Sequence, residues 1–179
     1  MDGTALRDGI FALRTRRLGT VAEAMIQRLI KCGRRRSQFH DLYDDAEHRR
    51  IEVKFSLVQK KWESPISADT VLVCIEEGTS AKRLVPFASW RTTAFDCNIQ
   101  QVKRAEFDVL YYGLFFSDCV KIFRINSADI DERIYYSDKQ HKGNVGEGQF
   151  HIHQDTLQIH LDNHLYQTLT YDELLKLLC

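Results

Sequence analysis

The sequence predicts an α/β fold, and three observations carry that expectation. Residues 50–57 alternate, with Ile51, Val53, Phe55 and Leu57 on one side and Arg50, Glu52, Lys54 and Ser56 on the other, which is the period of a half-buried strand. Val21, Met25 and Leu29, with Ala22, Ile26 and Ile30, recur at helical spacing and form a broad apolar stripe. Around residues 107–116, Phe107, Val109 and Tyr111 fall on one face and Leu110, Tyr112 and Leu114 on the other, so this strand is apolar on both sides and belongs inside a covered sheet.

Taken in order, residues 1–17 read as a short helix or arm, with Ile10, Phe11 and Leu13 available to dock on the body or on a second subunit. Thr20-Val21-Ala22-Glu23 has the pattern of a capping box opening the amphipathic helix, and Gly33 suits its stop. Phe39 to Tyr43 and Arg50 to Leu57 then hold strand-favouring residues around a polar turn, the signature of a hairpin. Ser67 to Glu77 fits either a helix capped by Ser67 or a buried strand; a helix is expected, because the chain has to cross the sheet before another core strand. Trp90 is expected to pack, and Asn98–Lys103, Phe107–Phe116 and Cys119–Ile125 read as strands, the last two joined by a Ser117-Asp118 turn. Tyr135 to Gly148 reads as a glycine-containing loop with many hydrogen-bonding tips, residues 155–164 are not convincingly helical, and Thr170-Tyr171-Asp172-Glu173 opens a short terminal helix with a second capping box.

The 179 residues fit a single domain, 1–179, with enough apolar material for a core at 44% hydrophobic and 28% charged. No apolar run approaches the roughly 20 residues that span a bilayer, so no membrane association is expected. Five scattered cysteines without a Cys-x-x-Cys pair indicate neither a disulfide framework nor a thiolate zinc site, which points to a reducing cytoplasm. Net charge is zero, but residues 1–61 carry 14 Lys+Arg against 8 Asp+Glu, so the positive excess lies where the hairpin is.

The hairpin is the stretch with chemical content. A turn centred on Ala46-Glu47 sets Asp41 directly across from Glu52, whether the loop has two residues or four. Paired side chains share a face with Cβ atoms about 4.5–5.5 Å apart. Two carboxylates at that spacing repel unless a cation lies between them, and a hard oxygen site completed by water suits Mg²⁺. Lys54 reaches the same face and can orient a water or offset phosphate charge.

Asp41, ten residues, then Glu52-Val53-Lys54-Phe55-Ser56 resembles the active site of the PD-(D/E)xK nuclease superfamily, with His40 where the family often has proline. Asp96–Phe116 and His141–His151 resemble later core segments of type II restriction endonucleases, and the likeness runs over roughly residues 18–178. The resemblance implies a restriction-endonuclease-like core, a mixed central β-sheet flanked by helices, and Mg²⁺-dependent, sequence-specific hydrolysis of double-stranded DNA by a homodimer without a nucleotide cofactor. It implies Asp41, Glu52 and Lys54 as catalytic residues and Asp41, Glu52 and the Val53 carbonyl as metal ligands. Some members add a helical glutamate, and Glu23 is the candidate for that part, although its capping role already accounts for it. The resemblance also places the strand holding Gln101 and Lys103 beside the hairpin. It implies DNA contacts from that pair and from Lys139, Gln140, Lys142, Asn144 and Gln149. A nicking, repair or junction-resolving nuclease, or a non-catalytic DNA-binding module, would share these features. His151, His153, His160 and His164 offer a competing zinc set, with His160 and His164 on one helical face.

Overall fold

The computed structural model describes residues 1–33, 39–61, 65–139 and 145–179. Helix α1 (Gly3–Phe11) is capped by Asp2, whose carboxylate accepts from the Ala5 amide at 2.8 Å, and it buries Ile10 and Phe11. It therefore docks on the body of its own chain. Helix α2 (Thr15–Ile30) buries Leu18, Ala22, Met25 and Ile26. It begins a turn earlier than the sequence suggests: Thr20 lies inside it, donating to the Arg16 carbonyl, so Thr20 and Glu23 do not form a capping box. The apolar stripe reaches back to Leu18, and this burial outweighs the local cap signal. The helix closes on Lys31 in the left-handed region (φ 55°), not on Gly33, which instead bridges to Tyr43.

Strands β1 (Leu42–Asp44) and β2 (Arg49–Leu57) form the hairpin, with Leu42 opposite Ile51, Tyr43 opposite Arg50 and Asp44 opposite Arg49. The loop has four residues. Asp44 Oδ1 accepts from the Ala46 and Glu47 amides, and His48 supplies the positive φ of 54° that closes the turn. Helix α3 (Val71–Glu77) follows, starting at a Thr70 cap and not at Ser67. It does not cross the sheet as a buried connection: Cys74 is its one buried residue, while Leu72, Val73 and Ile75 are exposed.

Strands β3 (Asp96–Val102), β4 (Val109–Phe115) and β5 (Cys119–Asn126) match the three expected runs. Strands β6 (Ser137–Lys139) and β7 (Val145–His153) pair antiparallel, so the described parts of the Tyr135–Gly148 stretch hold strands where a loop was expected. Helix α4 (Leu157–His164), strand β8 (Leu165–Thr170) and helix α5 (Tyr171–Leu178) complete the chain. Helix α4 contradicts the reading of residues 155–164 as non-helical. Its residues have mixed propensity, and burial of Leu157 and His160 one turn apart holds it in place. Helix α5 opens with the expected box: Thr170 Oγ1 accepts from the Glu173 amide, and the Glu173 carboxylate accepts from the Thr170 amide at 2.7 Å.

The larger sheet runs β1-β2-β4-β5-β8 and is mixed, because β2 and β4 are parallel and the other neighbours antiparallel. The smaller sheet is β3-β7-β6. Every residue of β4 is buried. Val109, Tyr111 and Phe115 face a core built with α1, α2 and α5, while Leu110, Tyr112 and Leu114 face another built with Trp90, Phe95, β3, β7 and Leu157. In the sheet the hairpin's inner neighbour is β4 and not β3, although the end of β3 still comes beside the hairpin, where Gln101 and Lys103 line a cleft with Asp41, Glu52 and Lys54. At Gly113, a Cβ would come within 2.2 Å of Phe55 Cε1 and 2.5 Å of the Lys121 carbonyl, so only glycine lets β2, β4 and β5 close at that level.

Candidate active site

Asp41 enters the hairpin one residue before β1, its amide donating to the Ile51 carbonyl at 3.0 Å. The Val53 amide donates to Asp41 Oδ2 at 2.9 Å, which turns the carboxylate toward β2. In an extended strand the N–H and C=O of one residue point the same way, so the Val53 carbonyl also faces the Asp41 side. Lys54 Nζ donates to Glu52 Oε1 and lies 3.9 Å from Asp41 Oδ2. The predicted register therefore brings Asp41, Glu52 and Lys54 together, with side chains 26%, 12% and 24% exposed. Behind them Val53 and Ile51 are buried against α2 and anchor the hairpin to the core.

The three residues line a cleft of about 160 Å³ with Phe39 and His40 on their side and Gln101, Lys103, Glu106 and Glu147 opposite. Gln101 reaches the cleft from a bulge where β3 and β7 shift register, with its own φ at 58°. Lys103 lies 3.7 Å from Glu106 and 3.4 Å from Glu147. Glu106 and Glu147 were not singled out in the sequence, because they come from a turn and a distant strand that only the tertiary fold joins. Arg50 ties the two walls together: its Nη2 donates to Asp108 Oδ1 at 2.7 Å, its amide to Asp108 Oδ2 at 2.8 Å, and its Nη1 to the Ala105 carbonyl.

Burial raises the Glu52 carboxyl to about 7; Lys54 opposes the rise and Asp41 adds to it. One ammonium thus leaves the pair short of positive charge. Two carboxylates gathered around one ammonium, with the Val53 carbonyl on the Asp41 side, are a donor set of hard oxygens that fits a divalent cation keeping much of its water, as Mg²⁺ does.

The remaining candidates divide. Glu23 lies on α2 and is not among the residues lining the cleft. Lys139 is exposed at the end of β6, and Gln149 accepts from Asn98 Nδ2 at 3.2 Å on β7; neither lines the cleft. Gln140, Lys142 and Asn144 lie outside the described residues. The four histidines do not converge on a zinc site. His160 is buried and shares a 2.8 Å hydrogen bond with the Tyr112 hydroxyl, and His151 pairs with Asp96. Among the described residues no group of three or more His, Cys, Asp or Glu side chains is arranged to hold a metal. His160 and His164 do share a face, their rings 6.2 Å apart.

No protein-family model, curated protein or solved structure gives a significant match to this chain. Among the described residues no helix is long and apolar enough to cross a membrane.

Proposed function

We propose that this chain is a small Mg²⁺-dependent type II restriction endonuclease on a restriction-endonuclease-like core, hydrolysing phosphodiester bonds in double-stranded DNA. The observation that carries the reading is the convergence of Asp41, Glu52 and Lys54 in one accessible cleft on the edge hairpin of a mixed sheet. Asp41, Glu52 and the Val53 carbonyl would hold the metal. A divalent cation held by these residues would supply polarisation of a phosphoryl oxygen and activation of a water. Lys54, within reach of both acids, orients the attacking water as its oxygen bonds to phosphorus, the bond from phosphorus to one sugar oxygen breaks, and the proton the water gives up is balanced, through solvent, by one taken up at that leaving oxygen. Gln101 and Lys103 flank the phosphate from the opposite wall. Cutting both strands of a symmetric site is met most simply by two copies of the chain, so a homodimer is part of the proposal.

Purified protein should convert plasmid DNA to discrete fragments with Mg²⁺ and leave it intact with EDTA. Lys54→Ala should abolish cutting while DNA affinity, measured with EDTA present, changes little. Random degradation would favour a repair-type nuclease on the same site, and an intact plasmid under all metal conditions would overturn the nuclease reading.

A further inference from the structure

The cleft holds four side chains able to donate a hydrogen bond to an incoming phosphodiester, and two are already engaged by carboxylates. Lys54 is held by Glu52, and Lys103 lies between Glu106 and Glu147. Gln101 and His40 are the other two. His40 is immediately next to Asp41, and its ring lies 6.0 Å from that of Tyr43 at a 44° tilt. Its Nδ1 is sealed from solvent and meets no hydrogen-bond partner among the described residues. Asp108 is near enough to feel the ring, yet its oxygens are engaged by Arg50. A buried N–H with no acceptor is rarer in proteins than an under-satisfied acceptor, so the ring hydrogen belongs on Nε2. Nε2 is not among the sealed, unpartnered atoms, and His40 is one of the residues lining the cleft, so Nε2–H is the ring's donor left to serve it.

We infer that His40 is a substrate-binding residue, its Nε2–H donating to a non-bridging oxygen of the phosphodiester held at Asp41 and Glu52. The inference rests on the nuclease reading and adds a contact at the position preceding the first acid. A hydrogen bond to a charged oxygen is worth about ten- to a hundred-fold in binding.

The test compares wild type, His40→Ala, His40→Gln and His40→Asn in Mg²⁺-dependent cleavage of a plasmid substrate, with melting temperature as the control for folding. The Gln amide nitrogen can take the place of Nε2, whereas the Asn amide nitrogen takes that of Nδ1. His40→Ala should raise KM for DNA by about ten- to a hundred-fold, with a smaller change in kcat and an unchanged Mg²⁺-induced rise in melting temperature. His40→Gln should recover most of the loss and His40→Asn should not. An unaffected Ala variant, equal rescue by both amides, or loss of the Mg²⁺-induced rise would overturn the role of His40 while wild-type cutting leaves the nuclease reading standing. A wild type that cuts nothing would remove both.

Discussion

The Val53 amide donates to Asp41 Oδ2 at 2.9 Å, so the backbone of one arm of the hairpin orients the acid on the other. Charge and orientation at Asp41 can therefore be separated. Asp41→Asn keeps an oxygen for the Val53 amide and removes the charge, and Asp41→Ala removes both. Both variants should lose the Mg²⁺-induced rise in melting temperature. In metal-free urea melts only the Ala variant should lose stability, by about 1 kcal/mol for the hydrogen bond. An Asn variant that still responds to Mg²⁺ like wild type would exclude Asp41 as a ligand.

Glu52 predicts a pH dependence. Its carboxyl is raised to about 7 by burial, from an ordinary 4.5. Between those values the folded protein binds more protons than the unfolded chain, so metal-free stability falls as pH rises through the window, by at most about 1.4 kcal/mol per pH unit. Below 4.5 the neutral form prevails in both states and the penalty is absent. Glu52→Gln should flatten this slope in urea melts with EDTA. In wild type, the Mg²⁺-induced gain in melting temperature should be larger at pH 8 than at pH 6. A gain independent of pH would place the metal away from Glu52.

His160 gives the opposite sign. Its burial holds the imidazole down to about 3, against an ordinary 6.5. From 6.5 down towards 3 the unfolded chain takes up a proton that the folded one refuses, so this contribution is complete above 6.5 and is lost on acidification, by up to about 1.4 kcal/mol per pH unit. The double variant Tyr112→Phe/His160→Phe removes the titrating ring and the hydroxyl it would otherwise leave unpaired. Its stability should fall less than that of wild type between pH 7 and pH 5, as read by denaturant melts. Parallel curves for the two proteins would show that His160 is not the source of the slope.

Gly113→Ala tests how tightly the sheet is closed. The added methyl would meet Phe55 and the Lys121 carbonyl, on two different neighbouring strands, and the backbone cannot rotate aside. A loss of about 1–3 kcal/mol is expected, as for an overpacked core. Because Phe55 follows Lys54 directly, cleavage should drop by more than the stability change explains at a temperature where the variant is fully folded.

Local signals were legible where one short stretch carried them. The facing of Asp41 and Glu52 needed only strand alternation and an even loop count, and the two-sided burial of β4 needed only its own residues. Thr170 and Glu173 declared their helix because both halves of the cap lie within four residues. Pairings between distant segments left no such local trace. The placement of β3 in a second sheet depends on β7, some fifty residues later, and the same pairing brings Glu147 to the cleft. Thr20 misled because a sound capping pattern was overruled by the burial of Leu18 two residues before it. The exposure of Leu72, Val73 and Ile75 on α3 was hidden for a related reason: an apolar run specifies that something could be covered, and not that anything in the chain covers it.

The opposite wall of the cleft has a consequence for biosynthesis. Asp41, Glu52 and Lys54 leave the ribosome about fifty residues before Lys103 and Glu106, and Glu147 follows later still. The β1-β2 hairpin lacks its inner neighbour until residues 109–115 have emerged to run alongside 51–57. A chain made only as far as the hairpin therefore carries the candidate acids and lysine without the facing wall, and under the proposed function its cleft is complete only once residue 147 has been added.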